Sequence, residues 1–206
     1  MREPHAAETI LPPMTQLAPA RPPAADDDIA LMQRYAAGDA TAFDPLYRRH
    51  NDAVFRYLLR LSANAATAEE LAQDVWTKLI RARERYRPTA QFRTYLFRIA
   101  HNAFIDRTRR MRGREETLLA EPAGNAADEP ESLSEIALLK QKFQTALTTL
   151  PVEQRDAWLL HEEGGLSIDD IATATGVNRE TAKSRIRYAT RKLKDLLAAE
   201  LGHGDT

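Results

Sequence analysis

Apolar residues along this chain recur at intervals of three and four. Phe92, Leu96, Ile99 and Ala103 step by four, three and four, and Ala182, Ile186, Ala189, Leu193 and Leu196 repeat that rhythm. Such spacing puts side chains on one face of a helix, whereas a half-buried strand needs alternation. No sustained apolar/polar alternation occurs, so the pattern predicts an all-α fold.

In the first block, residues 28–37 predict a short helix. Asp39 can cap a longer one carrying Phe43, Leu46, Tyr47, Val54, Leu58 and Leu61, where Pro45 either delays the start or kinks it. Thr67 and Glu70 then stand in capping-box spacing ahead of the stripe Leu71, Val75 and Leu79. A loop around "RPTAQ" leads to the helix that starts near Phe92. In the second block, residues 133–149 and 151–161 predict two helices, with Pro151 in a tolerated first-turn position. Ser167 stands three residues before Asp170 as a helix start, Gly176 stops that helix, and Asn178 can cap the next. Helix, short glycine turn, helix is the helix-turn-helix pattern.

Two stretches lack this periodicity. Residues 1–27 are rich in Pro and Ala and end in an Asp run, the composition of a disordered tail. Residues 113–133 carry prolines, glycines and an acidic balance, the composition of a flexible linker. They leave two small helical domains, 28–112 and 134–201, whose binding sites need not be adjacent across such a linker.

Charge changes the picture. The formal net charge is -1, yet between Gly176 and Lys194 the chain places Arg179, Lys183, Arg185, Arg187, Arg191, Lys192 and Lys194 against Glu180. Arg179, Lys183, Arg187 and Arg191 fall at four-residue steps, with Ser184 and Tyr188 beside them. A face of this kind enters a major groove in helix-turn-helix proteins, base edges meeting the start of the second helix and cations neutralising phosphates. A second cluster, Arg107, Arg109, Arg110, Arg112 and Arg114, follows a helix rich in aromatic residues. Most of those rings belong to the core. The loop from Tyr86 to Gln91, with Arg98, His101 and Asn102, is the better DNA-facing set.

Other chemistry is sparse. The chain has no cysteine, which rules out disulfides, thiolate metal sites and cysteine nucleophiles and fits a reducing compartment. His161 with Glu162 and Glu163 lacks the second histidine of a zinc peptidase, and no glycine-rich phosphate loop is present, so neither an enzyme nor a metal or other cofactor is expected. No window approaches the about 18 consecutive apolar residues of a spanning helix, so no membrane insertion is expected and a cytoplasmic protein is.

Two segments carry a resemblance. "AEELAQDVWTKLIRARERYRPTAQFRTYLFRIAHNAFIDRTRR" and, after a gap, "LTTLPVEQRDAWLLHEEGGLSIDDIATATGVNRETAKSRIRYATRKLKDLL" together resemble the extracytoplasmic-function (ECF) group of bacterial RNA polymerase sigma factors. The resemblance implies a region-two domain that binds the beta-prime clamp of core RNA polymerase and melts the minus-ten element. It also implies a region-four domain that reads the minus-thirty-five element and meets the beta flap. Carried over by position, it assigns polymerase binding to Glu70, Gln73, Asp74 and Lys78. Minus-ten binding falls to Tyr86, Arg98, His101, Asn102, Arg109 and Arg110, and minus-thirty-five binding to Arg179, Thr181, Lys183, Ser184, Arg187 and Tyr188. Glu180 departs from the small residue the family often has before that threonine. An anti-sigma factor is implied as a partner beside the polymerase and promoter DNA. Two alternatives stay open: a sigma mimic that titrates an anti-sigma factor, and a helix-turn-helix repressor, which would leave the first block without a task.

Overall fold

The structure, a computed structural model, describes residues 25–115 and 135–202. The expected tail, apart from its last three residues, and the linker, apart from its first three, lie outside the described residues. Among the described residues there are eight α-helices: α1 (Ala25–Ala36), α2 (Phe43–Ser62), α3 (Ala65–Ala82), α4 (Phe92–Glu115), α5 (Glu135–Thr148), α6 (Val152–Glu162), α7 (Ile168–Thr175) and α8 (Arg179–Gly202). Helix α1 begins three residues before the expected boundary, and α4 continues three beyond its own.

Local capping decides where these helices begin. Asp39 accepts the Thr41 N–H at 3.0 Å and pairs with Arg34 at 2.6 Å, capping a 3-10 turn, Ala40–Ala42, that runs into α2. Pro45 is the third residue of α2, where its missing N–H has no intrahelical role to lose. Helix α3 corrects the expected capping box. Its cap is Asn64, whose side chain accepts from the Thr67 N–H at 2.8 Å, after Ala63 has turned the chain with φ 55°. Glu70 is thereby freed, and it pairs with Arg107 of α4 at 2.6 Å.

In the first domain, Leu46, Val54, Leu58 and Leu61 of α2 meet Leu71, Val75 and Leu79 of α3 and Phe92, Leu96 and Ala103 of α4, all buried. Each large side chain so buried stabilises by about 1.5–3 kcal/mol relative to exposure. Asp28 fastens α1 to this core. It accepts from Arg49 at 2.8 Å and lies 2.7 Å from His50 Nε2. Burial alone would raise its carboxyl pKa, but the hydrogen bonds from His50 and Arg49 outweigh burial and hold it below the ordinary 3.8.

The expected stripe of α4 is incomplete. Ile99 is only half-buried, whereas Phe97, Ala100 and Phe104 are buried as well. A second arc is covered because α4 is packed on α2 and α3 on one side and on α7 of the second domain on another.

In that second domain Leu147, Leu159, Leu160, Ile171, Ala182, Ala189 and Leu193 form the interior. Pro151 precedes α6, Ser167 accepts from the Asp170 N–H at 3.2 Å to start α7, and Gly176 ends it at φ 70°. Asn178 accepts from the Thr181 N–H at 2.7 Å to start α8, as its position predicts. The two domains lie against each other along α2–α6, α4–α7 and α2–α5, so in this structure they do not stand apart.

Candidate nucleic-acid interface

Helix α8 packs on α5, α6 and α7 with Ala182, Ala189 and Leu193 buried, and among the described residues no helix covers its opposite side. That side carries Arg179, Glu180, Lys183, Arg187, Tyr188 and Arg191, all exposed. Thr181 and Ser184 are half-buried, and Ser184 donates to the Thr181 carbonyl at 2.9 Å. Arg179 is held by Asp169 of α7 at 2.9 Å and lies 3.7 Å from Glu180. Two guanidinium groups lie over the Tyr188 ring, itself 42% exposed: Arg187 at 5.1 Å and Arg191 at 5.4 Å from its centroid. Stacking on one aromatic face orders side chains that would otherwise sample many rotamers. All six residues predicted for minus-thirty-five reading thus sit on the first three turns of one helix.

The set predicted for minus-ten binding divides. Arg98, Asn102 and Arg109 are exposed along one edge of α4, together with Ile105 at 39% exposure. Arg98 rests over the Tyr95 ring at 5.7 Å. Arg109 pairs with Asp106 at 2.7 Å, and Arg110 donates to the Asp106 carbonyl at 3.2 Å. Two members are placed elsewhere. Tyr86 is 5% exposed, packed edge-on against Tyr95 at 5.1 Å, and burial pushes its phenol up to about 12. The expected display of Tyr86 on the surface is therefore not found, because its ring fills the space beside α4. His101 points to the second domain, with Nδ1 2.8 Å from the Asp156 carboxylate.

The residues predicted for polymerase binding lie on both sides of α3. Glu70, Asp74 and Lys78 line a charged groove with Arg107, Arg109 and Arg110, and Asp74 and Lys78 pair at 2.9 Å. Gln73 faces another groove, lined by Phe43, Tyr47, Phe55, Trp76 and Ile80.

Sequence reasoning missed a third constellation, where the domains meet. Tyr57 of α2, fully buried, donates to Asp156 of α6 at 2.6 Å, and burial and that carboxylate push its phenol well above its ordinary range. Arg56 donates to Glu163 at 2.8 Å, and Arg60 donates to the same carboxylate. Arg93 of α4 donates to the Glu163 carbonyl at 2.8 Å and also to that of Gly164, and burial lowers its pKa. Thr94 donates to Asp170 at 2.9 Å. A signal was available: Asp156, Leu160 and Glu163 step by four and three, so two carboxylates stand on an apolar stripe. A carboxylate there must be paired.

Comparison with known proteins agrees with this architecture. The Sigma-70 region 2 family matches residues 46–115, and Sigma-70, region 4 matches residues 140–193. The chain is 37% identical over 169 residues to the ECF RNA polymerase sigma factor SigE of Mycolicibacterium smegmatis, an overlap of 79% of this chain and 65% of that protein. It is 33% identical over 172 residues to the RNA polymerase sigma factor CarQ of Myxococcus xanthus, covering 81% of this chain and 95% of CarQ. Among solved structures, CnrH in complex with the cytosolic domain of CnrY matches with a TM-score of 0.66 at 25% identity, covering 84% of this chain and 99% of that one. The sigma factor RpoE of Bartonella quintana, in complex with the anti-sigma factor NepR, matches with a TM-score of 0.61 at 28% identity, covering 76% and 96%. Two sigma-70 regions in order, on two helical domains of the matching fold, place this chain in the ECF group of RNA polymerase sigma factors.

Proposed function

We propose that this chain joins core RNA polymerase in the cytoplasm and directs it to promoters, reading the minus-thirty-five element with α8 and holding the opened minus-ten strand along α4. The observation that carries the reading is the free face of α8, where Lys183, Arg187, Tyr188 and Arg191 are exposed in register behind the Gly176 turn. A protein that had given up promoters would have no use for that face, which argues against the sigma mimic. A repressor needs only the second domain, and the charged and aromatic grooves flanking α3 suit the polymerase contact instead. The protein is not expected to catalyse a reaction of its own. An anti-sigma factor is proposed as a second partner, since both structural relatives were solved as complexes, one of them named as an anti-sigma complex.

The test is run-off transcription with purified core polymerase on a library of upstream regions. Defined start sites that depend on the protein support the reading. Binding of the free protein to duplex DNA, with no start sites, would favour the repressor.

A further inference from the structure

Helices α2 and α4 present one continuous face to the second domain. Arg56 and Arg60 stand one turn apart on α2 with Tyr57 between them, and the Tyr57 ring meets Phe97 of α4 edge-on at 5.5 Å. Arg93 lies over Phe97 at 5.7 Å, and His101 follows on the same helix. Cations around adjoining rings are what single-strand-binding surfaces are made of: charge follows the phosphodiester, and ring faces receive unpaired bases. What faces them here are carboxylates and carbonyl oxygens of α6 and the turn after it, from Asp156, Glu163 and Gly164. To a guanidinium a carboxylate and a phosphate offer the same kind of acceptor.

We propose that the face made by Arg56, Tyr57, Arg60, Arg93, Phe97 and His101 is a surface for single-stranded DNA, which Asp156 and Glu163 occupy while the domains are packed together. This rests on the reading above. Its place supports it, because His101 adjoins Asn102 of the exposed α4 stripe, so one strand can pass from the stripe onto this face. Its energetics make the exchange feasible. The pairs of Arg56 and Arg60 with Glu163 are only partly desolvated, Arg56 being half-exposed, and such pairs stabilise little in net terms, so an outside anion need supply only a comparable partner.

The test uses the full chain and a fluorescent oligo-dT strand without promoter sequence. Since the chain has no cysteine, dyes on Glu69→Cys and Lys194→Cys report the separation of the domains. In Asp156→Asn/Glu163→Gln we expect a drop in energy transfer and oligo-dT binding tightened by about tenfold. Adding Arg56→Ser and Arg60→Ser should abolish the gain and lower the slope of log affinity against log salt by about 1.4, roughly 0.7 for each phosphate contact to a single strand. Glu163→Gln alone serves if the double variant fails to fold. Opening without tighter binding overturns the proposal, as does a gain that survives loss of both arginines. Unchanged energy transfer refutes the role of the two carboxylates, and equal competition by polyglutamate would make this a protein-binding surface instead. No polymerase is present, so these failures leave the transcription result untouched, and absent start sites would leave a gain in strand binding standing.

Discussion

Gly164 and Gly176 bracket α7, and the structure separates why each is glycine. A Cβ built on Gly176 meets nothing within 4 Å, yet φ is +70°. Gly176→Ala therefore meets backbone strain alone, roughly 1–2 kcal/mol for an L-residue in the left-handed region, with helix α8 still able to form. At Gly164 the φ lies outside that region, but a Cβ would sit 2.3 Å from the Leu160 carbonyl oxygen and 2.9 Å from Leu166 Cδ1. The first obstacle is backbone and cannot swing aside. We expect Gly164→Ala to cost more, about 2–4 kcal/mol, as the α6–α7 turn is forced apart. Urea unfolding followed by circular dichroism measures both. If the chain melts as one unit, each kcal/mol lowers Tm by about 2–4 °C, and by about 4–8 °C if the second domain melts alone. Gly176→Asn should recover most of the loss, because asparagine tolerates that conformation. A Gly176→Ala variant as stable as the parent, or one less stable than Gly164→Ala, would refute the reasoning.

Three further outcomes are expected. Asn64→Ala removes the cap of α3 and should cost about 1 kcal/mol in urea unfolding, whereas Thr67→Ala, which loses the cap expected from sequence, should cost less. The Asp28 carboxyl is depressed below 3.8 in the folded chain, so it contributes stability above that value and loses it as pH falls through the lower folded value. Unfolding midpoints measured from pH 5 down to 2.5 should fall more steeply for the parent than for Asp28→Asn. The Tyr86 phenol is raised to about 12, so its stabilisation is intact below the ordinary 10.0 and declines as pH rises toward 12. Absorbance titration of Tyr86→Phe against the parent should remove one tyrosine that ionises late.

The helices were readable because their signals are local. Gly176 and Asn178 act within four residues of themselves, and the four-three rhythm of α8 depends only on which side must be buried. The α3 cap was misread for an equally local reason, since two candidates three residues apart both suit an N-terminus, and the αL turn at Ala63 favours the earlier. What stayed hidden depends on which surfaces meet. Nothing local marks Arg56, Arg60 and Arg93, because their partner Glu163 stands 107, 103 and 70 residues away in sequence. Tyr86 read as a loop residue because no nearby pattern announces the pocket beside Tyr95.

Because Tyr57 and Asp156 belong to one chain, the packing of the two domains is a unimolecular equilibrium, unaffected by dilution. Any ligand for the covered face binds bimolecularly, and its apparent dissociation constant is the intrinsic value divided by the open fraction. A chain open about one tenth of the time would look about tenfold weaker toward every such ligand alike, whatever its chemistry. Substitutions that leave the side chains of the face unchanged, such as one at Gln144 of α5, which donates to the Arg60 carbonyl at 3.1 Å, would then shift the affinities for unrelated ligands by one common factor. A shared factor of this kind separates control by opening from control by contact.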